Sequence, residues 1–179
     1  MKLSILFKNN ILFLLFLCVG FIELSAQSPE QKLVQLKITL PAVPEAIGKY
    51  VDFTRVGNLV FLSGKGPRQA NGEYIKGKLG SDLTVEQGYA AARLTAVNQL
   101  AVLKKAIGDL KNIKRIVKVN GYVNSAGTFY DQPKVVDGFS DLLVEVFGDA
   151  GKHARTSVGT AALPMNMAIE VEMIVEVEL

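Results

Sequence analysis

Apolar residues change their spacing along this chain, and each change marks an element. Residues 11–22 form an unbroken apolar run with one glycine. Leu33-Val34-Gln35-Leu36-Lys37-Ile38 then alternates until Pro41 and Pro44 stop it, which predicts a short leader strand or edge segment. Residues 50–53 and 59–63 are short runs of β-type residues, split by the turn signal Val56-Gly57-Asn58. Residues 64–80 carry five glycines and Pro67 and read as a long loop, with a small ribbon near Tyr74-Ile75.

Helical spacing follows. Thr84 and Gln87 stand at capping-box distance. Ala90, Leu94, Val97 and Ala101 make one apolar row, and Ala96, Leu100, Leu103 and Ile107 a second, before Gly108 stops the helix. A face that wide fits against a sheet. Residues 116–123 alternate, with Val117, Val119 and Val123 on one side. Pro133 opens a second helix whose buried face is Val136, Phe139, Leu143 and Val146; Gly148 ends it. Residues 154–161 and 168–179 read as a hairpin turning at Leu163-Pro164-Met165-Asn166. In its last strand Ile169, Val171, Met173, Val175 and Val177 oppose Glu170, Glu172, Glu176 and Glu178, the strict alternation of a half-buried strand. The order of strands, helix, strand, helix and hairpin predicts an α+β domain with both helices packed on one sheet face.

Lys2 and Lys8 precede the 11–22 run, and Ser25-Ala26 follows it before polar Gln27-Ser28. That is the pattern of a secretory signal over residues 1–26. The run is too short to span a bilayer, which takes about 20 apolar residues. Cleavage after Ala26 predicts a periplasmic or secreted protein without stable membrane insertion; an uncleaved anchor is the alternative. Cleavage also removes Cys18, the only cysteine. That suits an oxidising compartment and leaves no thiol nucleophile. Residues 27–45 then form a leader and 46–179 the folded domain.

The composition narrows the chemistry. At 49% hydrophobic and 21% charged residues, the chain can bury a sizeable core and is no disordered tail. A net charge of +3 implies no dedicated nucleic-acid surface. One cysteine and one histidine exclude four-cysteine and multi-histidine metal sites. No metal and no organic cofactor is implied.

Arg155 is the first candidate, because it opens a strand after a glycine- and charge-rich loop and a guanidinium grips a carboxylate through two parallel hydrogen bonds. The plain alternative is an ion pair with a last-strand glutamate. Glu170 is the second, because the expected hairpin sets it within a few rungs of Arg155, where a carboxylate can orient water. Its alternative is one solvated glutamate among four. His153, the only histidine, suits acid–base work at neutral pH, or plain loop surface. Residues 64–67 and 148–152 lack the spacing of a phosphate loop. Lys111, Lys114 and Lys118 read as a solvated face.

Several of these segments together resemble the RidA/YjgF reactive-intermediate deaminase family. They are Ala46-Ile47-Gly48-Lys49-Tyr50, Val60-Phe61-Leu62-Ser63-Gly64, Ala154-Arg155-Thr156-Ser157-Val158, Leu163-Pro164 and Ile169-Glu170-Val171. The resemblance implies a chorismate-mutase-like single mixed sheet with two helices on one face, assembled as a homotrimer with ligand clefts between subunits. It implies hydrolysis of small 2-imino acids to 2-oxo acids and ammonia. Arg155 would bind the carboxylate and Glu170 would position water, with Tyr50, Ser63 and Ser157 lining the cleft. Ser157 stands where many members have a cysteine, His153 where proline is usual, and Asp137 where asparagine is common. Asp137 is expected to repel an anionic ligand if it faces the cleft. Secretion and these departures leave a non-catalytic binding module for small carboxylates as the alternative, and a ribonuclease as a third.

Overall fold

The computed structural model describes residues 27–45 and 48–178. The expected signal segment and Ala46-Ile47 of the first motif lie outside the described residues. The elements are helix α1 (Pro29–Gln35), strands β1 (Phe53–Val56) and β2 (Leu59–Lys65), helix α2 (Val85–Ile107), strand β3 (Ile113–Asn124), helix α3 (Gln132–Phe147), strand β4 (Ala154–Thr160) and strand β5 (Ile169–Val177). They form one mixed five-stranded sheet in the order β1-β2-β5-β3-β4. Among these strands, only β3 and β4 pair in parallel.

Helix α2 forms as its caps predict, and α3 begins with Pro133 in its first turn and ends at Gly148. Thr84 accepts from Gln87 N while the Gln87 side chain accepts from Thr84 N, and Gly108 closes α2 at φ 80°, where a Cβ would be strained. Val136, Phe139, Leu143 and Val146 of α3 are buried, as expected. Both helices pack on the sheet face that carries Val119, Val123, Val171, Met173 and Val175, and these form one core with Leu100 and Leu103. At the helix crossing, a Cβ on Gly138 would stand 2.1 Å from the Tyr89 carbonyl oxygen, so only glycine admits this approach.

Four details depart from the sequence pattern. Residues 29–35 are helical rather than extended. Ser28 and Gln31 form a capping box around Pro29 in the first turn, and Leu33 is the buried residue of this helix. The alternation survives just beyond it, where Leu36, Ile38 and Leu40 pack on the core while Lys37 and Thr39 are exposed. In α2 the row Ala90, Leu94 and Val97 sits at the margin of the buried stripe, with Ala90 exposed, and Thr95 and Gln99 are fully buried instead. Thr95 satisfies its hydroxyl on Ala91 O at 2.9 Å, which makes a polar residue tolerable there. In β3 the pairing slips between Ile116 and Lys118, so Ile116 and Val119 face the helices and Val117 does not; a bulge adds the residue that shifts the alternation.

The fourth concerns the C-terminal hairpin. Strands β4 and β5 are not neighbours, because β3 lies between them. The β3–α3–β4 unit is a parallel crossover that sends β4 to the sheet edge. β5, apolar on every inward position, occupies the middle. Local alternation defines both strands but not their order. The sheet face opposite the helices carries Phe61 and Val158, which remain 38% and 41% exposed.

Candidate functional site

Glu170 lines a cavity of about 680 Å³, with Tyr50 among the other lining residues. Its walls are the segment 41–45, the end of β2 with the following loop, Asn98 and Val102 of α2, and Met165 and Met167 before β5. A bulge between Leu62 and Lys65 shapes the β2 side. Gln99 clamps that bulge from below: its Nε2 donates to Ser63 O at 2.9 Å and to Val171 O at 2.7 Å. Gly64 then lets the Glu170 carboxylate lie flat on the backbone, since a Cβ there would stand 2.1 Å from Oε1.

Burial, with a smaller push from Glu172, holds the Glu170 carboxyl above the usual carboxylate range, against the pull of Lys65. Lys65 itself is committed elsewhere, to Asp52 at 2.6 Å. Burial works against ionisation of Asp52 as well, but Lys65 and then Lys105 outweigh it and keep that carboxyl low. Ser63 donates its hydroxyl to Val51 O at 2.7 Å, and its N–H to Asp52 O at 2.9 Å. It therefore ties the segment that leads from Tyr50, exposed at the cavity rim, into β1, rather than offering its own hydroxyl.

Arg155 sits elsewhere. Its Nη1 donates to Asp137 Oδ1 at 2.7 Å and to Ser140 Oγ at 3.0 Å, both on α3. Asp137 is thus the partner of Arg155, and the alternative, an ion pair with a last-strand glutamate, does not form among the described residues. Of those glutamates, Glu172 accepts from Asn120 and Tyr122, and Glu176 from Lys114 and Arg115. Ser140 Oγ also meets His153 Nε2 at 3.0 Å, and His153 Nδ1 lies 2.6 Å from Gly151 O. A carbonyl only accepts, so Nδ1 carries the proton and Nε2 of the neutral ring accepts from Ser140. Burial keeps His153 in that neutral form, and the nearby Arg155 charge helps. His153 therefore orients Ser140 and Arg155 and does not reach the Glu170 cavity. Ser157 Oγ is buried without a hydrogen-bond partner among the described residues.

The register fixes how these groups relate. Arg155 stands opposite Val119, which stands opposite Met173; Glu170 stands opposite Tyr122, which stands opposite Val158. Glu170 is three residues from Met173, so the two candidates point to opposite sheet faces. The structure brings together Glu170 and Tyr50, and separately Arg155, Ser140 and His153. Gln99, Asn98 and Ser140 escaped the sequence reading. A fully buried glutamine inside an apolar helix stripe is the signal that points to the first of them. Among the described residues, no group of three His, Cys, Asp or Glu side chains is placed to hold a metal ion.

The family model "YjgF/chorismate mutase-like, putative endoribonuclease" matches residues 30–177. Protein TCP17 of Trypanosoma cruzi is 42% identical over 145 residues, covering 80% of this chain and 91% of that one. A 2-iminobutanoate/2-iminopropanoate deaminase of Dermatophagoides farinae is 30% identical over 142 residues, covering 79% and 95%. Among solved structures, a "putative endoribonuclease" from Shewanella oneidensis MR-1 superposes with a TM-score of 0.82 at 39% identity, over 84% of this chain and 100% of that one. The sheet order, the two helices on one face and these matches agree, and the chain belongs to the YjgF/RidA family.

Proposed function

We propose that the protein is an enamine/imine deaminase acting on small 2-imino acids. Water adds to the C=N carbon, the C–N bond breaks, and a 2-oxo acid and ammonia leave. The observation that carries this reading is Glu170: a half-buried carboxylate in a cavity of ligand size, with no ion pair among the described residues and a proton affinity raised by its surroundings. Such a group can take a proton from attacking water and return it to departing nitrogen. The deaminase named among the relatives supports the same reaction class. The guanidinium of Arg155 supplies the carboxylate anchor; among the described residues its Nη2 and Nε donate to none, so that edge of the fork is open.

Because Arg155 and Glu170 face apart within one chain, the reading requires a second copy to bring them to one ligand. A homotrimer with inter-subunit clefts, covering the Phe61–Val158 face, satisfies that requirement. Removal of residues 1–26 on export belongs to the same proposal. The decisive assay generates 2-aminoacrylate in the presence of the protein and follows 2-oxo acid and ammonia; acceleration proportional to protein supports the reaction, and the uncatalysed rate overturns it.

One observation favours a second reading. Asp137 already holds Arg155 at 2.7 Å and competes with a ligand carboxylate. Saturable binding of 2-oxobutyrate without turnover of 2-aminoacrylate selects a binding module. A ribonuclease finds less support, because a carboxylate beside apolar walls suits a small acid better than a phosphodiester.

A further inference from the structure

The cavity beside Glu170 contains a cation that the family motifs do not account for. Arg68 lies on a small hairpin between β2 and α2: Gln69 N donates to Glu73 O at 2.8 Å, Ile75 N donates to Pro67 O at 3.1 Å, and Arg68 bridges to Tyr74. Asn98 of α2 fixes its backbone, donating to Gly66 O at 3.0 Å and to Arg68 O at 3.1 Å. The guanidinium lies against Gly72, where a Cβ would stand 3.2 Å from Nη2. Arg68, Gly72, Tyr74 and Asn98 all line the same cavity as Glu170. Arg68 is partly buried, yet no described residue accepts from its side chain. The neighbouring Lys65 is neutralised by Asp52 at 2.6 Å. A partly desolvated guanidinium with no partner is costly, and a rigid backbone holds this one where a ligand would lie.

We propose that Arg68 binds a second carboxylate of the ligand, so that the site takes a short 2-imino dicarboxylic acid. This rests on the deaminase reading for the other end of the ligand. Arg155 takes the carboxylate next to the imine, Glu170 serves the reacting carbon, and Arg68, on Glu170's own chain, takes the distal carboxylate. The cavity, at about 680 Å³, leaves room beyond what a three- or four-carbon acid fills.

Calorimetry with 2-oxoglutarate, glutarate and 2-oxobutyrate, on the parent and Arg68→Gln proteins, tests the assignment. Arg68→Gln is expected to weaken 2-oxoglutarate and glutarate about ten-fold or more, while 2-oxobutyrate stays within about two-fold and the melting temperature is unchanged. Unchanged binding of all three ligands overturns it. Equal weakening of all three also overturns it, because Arg68 would then grip the carboxylate they share. Glutarate binding that depends on Arg68, without any 2-oxobutyrate binding, upholds Arg68 and sinks the deaminase reading. Failure of all three to bind overturns the inference, and turnover of 2-aminoacrylate still decides the deaminase reading separately.

Discussion

Arg155 and Glu170 lie on opposite faces of one sheet, with the whole of β3 between their strands. Two strand spacings and three residue steps separate them, roughly 14 Å between Cα atoms. No small acid can bridge that gap through the sheet. The two residues most strongly marked by sequence therefore lie apart in one chain, each positioned by different neighbours. Glu170 rests on Gly64 and the Gln99-clamped bulge; Arg155 rests on α3.

The proposed anchoring role of Arg155 is tested by two substitutions. Arg155→Lys keeps the charge and loses the planar fork. Each charge-assisted bond lost contributes about 1.5–3 kcal/mol, so 2-oxobutyrate should bind roughly ten- to hundred-fold more weakly, with the fold intact. Asp137→Asn removes the competing carboxylate and should tighten binding. Calorimetry checks both; if Asp137→Asn weakens binding as Arg155→Lys does, Asp137 is needed to aim the guanidinium.

The raised proton affinity of Glu170 makes stability depend on pH. Between the ordinary value near 4.5 and the raised one, the folded protein holds a proton that the unfolded chain releases. Stability therefore falls as pH rises through that window, and above it the poorly solvated carboxylate remains a constant cost. Glu170→Gln has no proton to lose. It should be more stable than the parent at pH 7 and lose that advantage below about pH 4. Urea midpoints at the two pH values decide this. If Glu170 is the base of the proposed deamination, turnover should rise with pH through the same window.

How far the site was legible follows from the physics of each feature. Caps, apolar periods and the alternation of β5 are local, so α2, α3 and β5 could be read directly. Strand order is not local: 154–160 and 169–177 look like a hairpin until β3 claims the place between them. That single misplacement put Arg155 beside Glu170. The motif residues themselves could be named from resemblance, but not their partners. Asp137, which repels an anionic ligand only if it faces the cleft, binds Arg155, and Ser63 uses its hydroxyl on Val51 O. Such pairings depend on which side chains meet across elements.

Two glycines separate stability from function. Gly64→Ala meets only the movable end of the Glu170 side chain, so the carboxylate must swing away. Turnover should collapse while the melting temperature barely moves. Gly138→Ala meets the Tyr89 backbone, which cannot swing. Overpacking there should cost about 1–3 kcal/mol, at about 2–4 °C per kcal/mol for a chain of this size. Paired thermal melts and assays check the contrast; equal melting losses would mean that Glu170 is fixed as rigidly as a backbone.

The last prediction concerns the division of the site between chains. If Arg155 of one copy serves Glu170 of another, Arg155→Lys and Glu170→Gln are each inactive alone but complementary when mixed. A subunit bearing Glu170→Gln still offers an intact Arg155, and one bearing Arg155→Lys still offers an intact Glu170. Random assembly of equal amounts into a closed ring places the two intact residues at about a quarter of the interfaces. Co-refolding the variants should therefore restore about a quarter of the parent's deamination rate, and light scattering should report a trimer. A site confined to one chain gives no recovery at any mixing ratio, because every subunit then carries one defect in its own site. A monomer mass at micromolar concentration excludes a shared site by a separate route. Recovery thus measures what a single chain cannot display: whether the two faces of the sheet, one carrying a guanidinium and the other a carboxylate, meet across a subunit boundary.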